Sequence, residues 1–227
     1  MRAFLFDLDG TLIDSMPHHQ SAWDAWHVRH GLPMDSDGFF AATAGRSNPE
    51  ILVDLFPDHS ADEIQALADE KEGLYREIAA RSLGLIPGAQ SFVERARAAR
   101  LPLAVCTAAT PLNMALAFDR HGIDRWVDTV VSPADGLRGK PHPDIFLEAA
   151  RRLGLAPADC LVFEDAPLGI EAARRAGMKA IALTTTLPAA AFAAYDNVLA
   201  IAADFTALDP LLLARAPAPE PKGQPDA

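Results

Sequence analysis

RAFLFDLDGTLIDS, residues 2–15, leads an apolar run directly into two aspartates that are separated by one residue. Residues 3–6 are typical of a buried strand, because the run is too short for a helix and Gly10 ends it. Asp7 and Asp9 follow at the carboxyl end of this strand, with their side chains on the same face. Two carboxylates held that close repel each other, so a purely structural site would rarely contain them. The stretch therefore predicts a strand end at which a divalent cation resolves the repulsion.

Beyond residue 100, apolar runs typical of buried strands alternate with helical stretches. Each helical stretch begins near a proline and ends at a glycine, which is the usual asymmetry of helix termini. Strands that alternate with helices indicate a parallel sheet covered on both faces, and such sheets bind ligands at the carboxyl ends of their strands. The strand-like runs are residues 101–107, 127–132, 159–165 and 178–184, and the helical stretches are residues 111–122, 143–154 and 167–177.

The segment from residues 16–84 has no convincing strand and is helical in character throughout. Trp23, Trp26 and His30 recur at helical spacing, and Gly31 ends that helix. Because the segment separates the first strand from the rest of the sheet, we expect it to fold as a small helical domain beside the strand ends. The sequence thus predicts an α/β fold, with a Rossmann-like parallel-sheet core and an inserted α-helical cap.

The predicted domains follow from this insertion. Residues 1–15 and 85–215 form the α/β core, residues 16–84 form the cap, and residues 216–227 form a tail. The tail reads APAPEPKGQPDA, and we expect this proline-rich polar segment to be mobile because it has little apolar surface to bury.

Charge and composition limit the partners and the compartment. The chain has 227 residues and a formal net charge of −11, which argues against a nucleic acid or an anionic membrane as partner. No apolar stretch approaches the ~20 residues of a membrane span, and no signal peptide is evident. Cys106 and Cys160 lie within or beside apolar runs, which favours reduced core thiols over a disulfide. We expect a cytoplasmic protein, either a monomer or a weak dimer.

Polar residues at four strand ends would meet at one edge of the predicted sheet. Taken singly, a threonine after a strand is often a local cap and a lysine is usually solvated. Together, carboxylates from two strands suit Mg²⁺, and a lysine and a hydroxyl beside them suit the oxygens of a phosphoryl group in transfer. The residues are Asp7, Asp9, Thr107, Lys140 in the loop GKPHPD, Glu164 and Asp165.

FDLDGTLIDS, the Thr107 position, GKPHPD and FEDAPLGIEAA resemble the four motifs of the haloacid dehalogenase (HAD) superfamily. The helical insertion is similar to the cap of the β-phosphoglucomutase-like branch. The resemblance implies that Asp7 is the nucleophile that attacks phosphorus and forms an aspartyl-phosphate. It implies that Asp9 is the general acid for the leaving alkoxide and then the base that activates water. Thr107 and Lys140 would hold and neutralise the transferring group.

The same resemblance implies a magnesium site. The ion would be held by the Asp7 side chain, the Asp9 backbone carbonyl and Asp165, with Glu164 nearby through a water molecule. Asp9 also separates the chemistries of the superfamily, because dehalogenating and phosphonate-cleaving members lack an acid at this position. An alkoxide leaving group needs a proton whereas a halide does not, so phosphate-ester chemistry is favoured over cleavage of C–Cl or C–P bonds.

Three residues of the insertion are candidates for contacts with substrate. His19 matches a hinge histidine of the mutase branch, and Lys71 aligns with a cap lysine that assists the mutase. Arg46, in the stretch AGRSNPE, is the candidate to hold a remote anionic group of the substrate. Each has a purely structural alternative, which is a hinge contact for His19 and surface charge for Lys71 and Arg46.

Two departures from the mutase pattern favour a phosphatase. Asn48 stands where the mutase has its distal phosphate-binding arginine, and Ala108 stands in a segment where the mutase has polar residues that contact phosphate. The sequence therefore predicts a Mg²⁺-dependent phosphomonoesterase that acts on a small phosphorylated metabolite, a sugar phosphate. The alternatives are a β-phosphoglucomutase or related phosphosugar mutase and, remotely, a non-catalytic phospho-ligand sensor, which the four retained acids disfavour.

Overall fold

The computed structural model describes residues 1–43 and 46–215, and the tail predicted over residues 216–227 lies outside the described residues. The described chain contains a parallel sheet of six strands in the order β3-β2-β1-β4-β5-β6. The α/β fold with a parallel sheet is thereby confirmed. The strands are β1 (Ala3–Phe6), β2 (Leu103–Cys106), β3 (Thr129–Val131), β4 (Cys160–Glu164), β5 (Lys179–Leu183) and β6 (Val198–Ala202).

Helices cover both faces of the sheet. The helices α7 and α8 pack on the face that carries Leu5 and Val162, and α5 packs on the opposite face against Phe4 and Phe163. The helices are α1 (Met16–His30), α2 (Ser36–Thr43), α3 (Asn48–Leu55), α4 (Ala61–Ser82), α5 (Ala89–Ala98), α6 (Pro111–His121), α7 (Asp144–Leu153), α8 (Pro167–Arg175) and α9 (Pro210–Ala214).

An aromatic cluster beneath the sheet supports the two central strands. The rings of Phe6 on β1 and Phe163 on β4 stack with centroids 4.8 Å apart, and both rings contact Phe92 of α5. Phe205 closes the cluster at 5.1 Å from Phe92. Each such pair adds about 0.5–1.5 kcal/mol to the burial of its area. The carboxyl ends of β1 and β4 therefore rest on a rigid base.

The edge strand β6 was not predicted from the sequence. Its side chains Leu199 and Ile201 remain 44% and 41% exposed, although the strand pairs in parallel with β5. The run VLAIA is as apolar as the central strands, but only a short 3-10 turn, Ala189–Phe192, separates it from β5, so the alternation of strands with helices does not mark it. The run predicted over residues 127–132 is also shorter than expected, because only Thr129–Val131 pairs with β2.

The helices α1–α4 lie between β1 and α5, and we call them the cap. In α1, Trp23 and Trp26 are buried against the cap interior together with Tyr75 of α4. That these helices form a separate domain bounded by residues 16–84 remains a prediction. The described residues include no helix that is long and apolar enough to span a bilayer.

The two linkers that join the cap to the core run side by side as a short antiparallel ribbon. The backbone contacts of the ribbon are Asp14 N to Gly84 O at 2.9 Å, Ile86 N to Leu12 O at 3.0 Å, and a bridge between Ile13 and Leu85.

Candidate active site

The order of the strands brings the predicted polar residues together. β1 lies between β2 and β4, so Asp7, Thr107 and Asp165, which follow these strands, share one edge of the sheet. The backbone N–H of Asp7 donates to the carbonyl of Phe163 at 3.0 Å, and this bond extends the parallel pairing up to the site. The site therefore lies at the carboxyl ends of the strands, where open α/β sheets bind ligands.

Three buried carboxylates form the centre of the site. Ligand oxygens of Asp7, Glu164 and Asp165 all lie within 4.8 Å of one another. Lys140, in the loop before α7, places its Nζ 2.5 Å from Asp7 Oδ1 and 2.5 Å from Glu164 Oε1. The group thus contains three carboxylates and one ammonium, which contacts two of them. The remaining negative charge and the all-oxygen donor set fit a hard divalent cation such as Mg²⁺.

The ionisation of the group reflects this excess of negative charge. Burial raises the pKa of Asp7 well above its usual value; Lys140 opposes this shift, and the neighbouring charge of Glu164 adds to it. Burial, followed by the charge of Glu164, raises the pKa of Asp165 to about 7. Burial disfavours the charged form of Lys140, but the carboxylates of Asp7 and Glu164 outweigh it and raise the pKa of this ammonium.

Hydrogen bonds hold the carboxylates of Glu164 and Asp165 in place. The hydroxyls of Thr11 and Thr186 donate to the two oxygens of Asp165, the first at 3.1 Å. Glu164 Oε2 accepts from the backbone N–H groups of Asp165 and Ala166, each at 3.0 Å. Neither Thr11 nor Thr186 was predicted from the sequence as a site residue. Thr11 belongs to the first motif, whereas Thr186 lies in the loop after β5 and carries no signal of its own.

Two glycines, Gly10 and Gly169, provide the space that these carboxylates occupy because they have no Cβ. Gly10 has φ +71°, and a Cβ there would overlap the carboxylate of Asp165 and crowd Thr186. A Cβ on Gly169 would overlap the carboxylate of Glu164. Both positions therefore require glycine for a steric reason, and Gly10 requires it also for its left-handed backbone.

The cap contributes a histidine and a lysine next to Asp9. His19 Nε2 lies 3.6 Å from Asp9 Oδ1, and Lys71 Nζ lies 2.7 Å from His19 Nδ1. Because an ammonium can only donate, Nδ1 accepts and the ring proton lies on Nε2, facing Asp9. Burial, followed by the charge of Lys71, lowers the pKa of His19, which favours this neutral form. The ring is held by stacking on Tyr75, with centroids 3.8 Å apart.

A buried carboxylate behind this pair was not predicted. Glu72 Oε1 lies 3.0 Å from Lys71 Nζ, and its two oxygens also accept from the side-chain amides of Asn48 and Asn113. Burial alone raises the pKa of Glu72, but the charge of Lys71 and the hydrogen bond from the Asn113 amide outweigh it and lower the pKa to about 2. Glu72 is thus an ionised group at the junction of α3, α4 and the core helix α6.

Two predicted residues are engaged in local contacts. Thr107 Oγ1 accepts from the backbone N–H of Ala109 at 2.9 Å, and the hydroxyl hydrogen can still be donated to a bound phosphate. Arg46 donates through Nη2 to Asp54 at 2.7 Å and to the carbonyl of Glu50 at 2.8 Å. Arg46 is thus paired with Asp54 in this structure, and its role as the holder of a remote anion stays a prediction.

A cavity of about 740 Å³ lies between the strand ends and the cap. The predicted residues that line it are Asp7, Asp9, His19, Arg46, Lys71, Ala108, Lys140, Glu164 and Asp165. Thr107 is buried beside the cavity and does not belong to that lining. Such a cavity is large enough for a phosphorylated sugar.

Comparison with known proteins assigns the family. Residues 1–177 match the haloacid dehalogenase-like hydrolase family. Validoxylamine A 7'-phosphate phosphatase from Streptomyces hygroscopicus subsp. limoneus is 36% identical over 198 residues, which cover 86% of this chain and 91% of the relative. Hexitol phosphatase A from Escherichia coli (strain K12) is 35% identical over 195 residues, which cover 80% of this chain and 82% of the relative.

Comparison with solved structures points to the same family. The crystal structure of a HAD hydrolase, family IA, variant 3, from Entamoeba histolytica HM-1:IMSS matches with a TM-score of 0.87 at 27% identity, covering 94% of this chain and 98% of that one. The chain therefore belongs to the haloacid dehalogenase-like hydrolase family. This confirms the resemblance and the hydrolase class inferred from the four motifs.

Proposed function

We propose that this hydrolase is a Mg²⁺-dependent phosphomonoesterase that acts on a small sugar phosphate through an aspartyl-phosphate. The observation that carries the proposal is the position of Asp7, a buried carboxylate in contact with Lys140 and next to Glu164 and Asp165. Asp9 lines the same cavity. Both of the relatives named above are phosphatases, which agrees with this proposal.

The residues divide the proposed reaction between them. An Asp7 oxygen attacks phosphorus, the bond from phosphorus to the ester oxygen breaks, and Asp9 gives its proton to the leaving alkoxide. Asp9 then takes a proton from water, the water oxygen attacks phosphorus, and the bond to Asp7 breaks to release phosphate. Lys140 and the Thr107 hydroxyl neutralise and hold the transferring group.

The metal proposal rests on the donor set. Asp7 and Asp165 would hold Mg²⁺ with their side chains, Asp9 with its backbone carbonyl, and Glu164 through a water molecule. When bound, the ion offsets the charge of the phosphoryl oxygens and of the carboxylates. The absence of a nucleic acid or anionic membrane partner, also part of the proposal, fits the net charge of −11, and we further propose a cytoplasmic location.

A phosphate-release screen tests the function. Purified protein is incubated with a panel of phosphorylated metabolites and with p-nitrophenyl phosphate, in Mg²⁺ and after dialysis against excess chelator. We expect hydrolysis of sugar monophosphates that needs Mg²⁺ and is lost in Asp7→Asn. Full activity in chelator would exclude the proposed mechanism.

The contact between His19 and Lys71 favours one second candidate, a phosphosugar mutase, because both residues match that branch. A parallel assay for conversion of β-glucose 1-phosphate to glucose 6-phosphate decides between the two. A mutase would need a catalytic amount of the sugar bisphosphate as activator, whereas a phosphatase would release inorganic phosphate without it.

A further inference from the structure

We infer that Glu72 is a specificity-determining residue that restricts the enzyme to substrates with one phosphate and a neutral, hydroxyl-bearing remainder. The inference rests on the proposed phosphatase function and concerns the far end of the same cavity. It differs from the expectation that a cap cation holds a second anionic group.

The position of Glu72 places a fixed charge in the cap-side wall of the cavity. Its side chain is 10% exposed and lines the cavity together with Asn48 and Asn113. The amide of Asn48 comes from α3 of the cap, and the amide of Asn113 comes from α6 of the core. Because these amides and Lys71 all donate to it, the carboxylate is held in one place and remains ionised.

The cations of this wall are already paired. The ammonium of Lys71 is paired with Glu72, and the guanidinium of Arg46 is paired with Asp54. Glu50 and Asp69 also line the wall and add negative charge. The described cap-side lining thus contains two basic residues, Arg46 and Lys71, and three acidic residues, Glu50, Asp69 and Glu72.

This arrangement opposes a second phosphate and accepts hydroxyls. A phosphate monoester adds about −1.5 to −2 charges near neutral pH. Near Glu72 it would enter a wall with more carboxylates than cations, and the two cations of the described cap-side lining, Arg46 and Lys71, each already have a carboxylate partner. Hydroxyl groups can both donate to carboxylate and amide oxygens and accept from amide N–H groups. In a partly desolvated wall, one unit charge several ångströms away changes binding more than about tenfold.

The test compares glucose 6-phosphate with glucose 1,6-bisphosphate as competitors of p-nitrophenyl phosphate hydrolysis in Mg²⁺, because either sugar competes whether or not it is turned over. We expect the bisphosphate to bind the wild-type enzyme at least about tenfold more weakly, and Glu72→Gln to reduce this ratio about tenfold. Asn48→Arg, which adds a cation beside Glu72, should also reduce the ratio of the two binding constants. This variant provides the test if Glu72→Gln does not fold.

The matched control is Glu77→Gln, which removes the same charge from an exposed position of α4 outside the cavity lining. Its ratio should stay within about twofold of wild type, since exposed charges are screened. Equal or tighter binding of the bisphosphate by the wild-type enzyme, or an unchanged ratio in Glu72→Gln, overturns the inference. A lack of Mg²⁺-dependent p-nitrophenyl phosphate hydrolysis overturns the proposed function itself, and the inference with it.

Discussion

Asp7 and Asp9 are separated by one residue, yet their side chains meet different surroundings. Asp7 is buried against Lys140 and belongs to the carboxylate group at the strand ends. Asp9 is half-buried and faces the neutral ring of His19 from the cap. The surroundings of the two carboxylates suit different tasks. Asp7, beside an ammonium, is suited to nucleophilic attack, and Asp9, beside a hydrogen-bond donor, is suited to proton transfer.

The first prediction separates these tasks. Asp9→Asn should retain more activity toward p-nitrophenyl phosphate than toward an alkyl phosphate, because p-nitrophenolate leaves with little protonation. The expected difference is about 10²-fold or more in kcat/KM between the two substrates, measured at saturating Mg²⁺. Asp7→Asn is the control and should lose both activities. Identical losses toward both substrates in Asp9→Asn would refute the assignment of roles.

The second prediction concerns the glycine beside Asp165. Gly10→Ala should destabilise the protein by about 2–4 kcal/mol, because it combines backbone strain with a steric overlap at the Asp165 carboxylate. Gly136→Ala is the matched control, since Gly136 has a similar φ of +70° and open space at its Cβ position. It should cost only about 1 kcal/mol in the free energy of unfolding. Urea denaturation measures both, and equal costs would contradict the steric argument.

At the scale of the elements, α4 and α6 are joined through a carboxylate. Glu72 on α4 accepts from Asn113 on α6, and Arg76 of α4 donates to the same asparagine at 3.0 Å. The cap and the core are therefore linked by polar contacts that require an ionised group in a buried position. Such a link depends on pH because the group must be charged in the folded state.

The third prediction follows from this link. The folded-state pKa of Glu72 is lowered from 4.5 to about 2, so its stabilisation is complete above pH 4.5 and is lost as the pH falls through about 2. The difference in unfolding free energy between wild type and Glu72→Gln should therefore decrease by about 2 kcal/mol between pH 6 and pH 3. In Glu77→Gln the corresponding difference should change little over this range. A difference for Glu72→Gln that is constant or grows toward acid would contradict the predicted ionisation.

At the scale of the whole molecule, a bound cation should stabilise the fold. The three central carboxylates come from β1 and β4, so a ligand that neutralises them acts on the middle of the sheet. The fourth prediction is that Mg²⁺ raises the Tm, with a gain of about 3 kcal/mol at 100 times its Kd. Asp165→Asn should remove most of the shift, and Glu77→Gln should retain it. A Tm that does not respond to Mg²⁺ in the wild-type protein would count against the metal site.

The core of the site was predictable because its residues directly follow strands. Asp7 and Glu164 lie at the ends of apolar runs, and parallel strands bring such ends to one edge whatever their exact order. Glu72 and Asn113 could not be found in this way, since their contact depends on how the cap lies on the core. The edge strand β6 was not predicted because no α-helix separates it from β5, so it falls outside the alternation of strands and helices.

The ribbon between Ile13 and Leu85 means that the chain leaves the core and returns to it at neighbouring points. The core strands can therefore follow the same course whatever segment is inserted at the ribbon. Asp7, the proposed nucleophile, lies on the core side of this junction, whereas the cap adds His19, Lys71 and Glu72 to the cavity. A different helical segment joined at these two points would therefore leave the proposed nucleophile in place and replace the cap-side lining of the cavity.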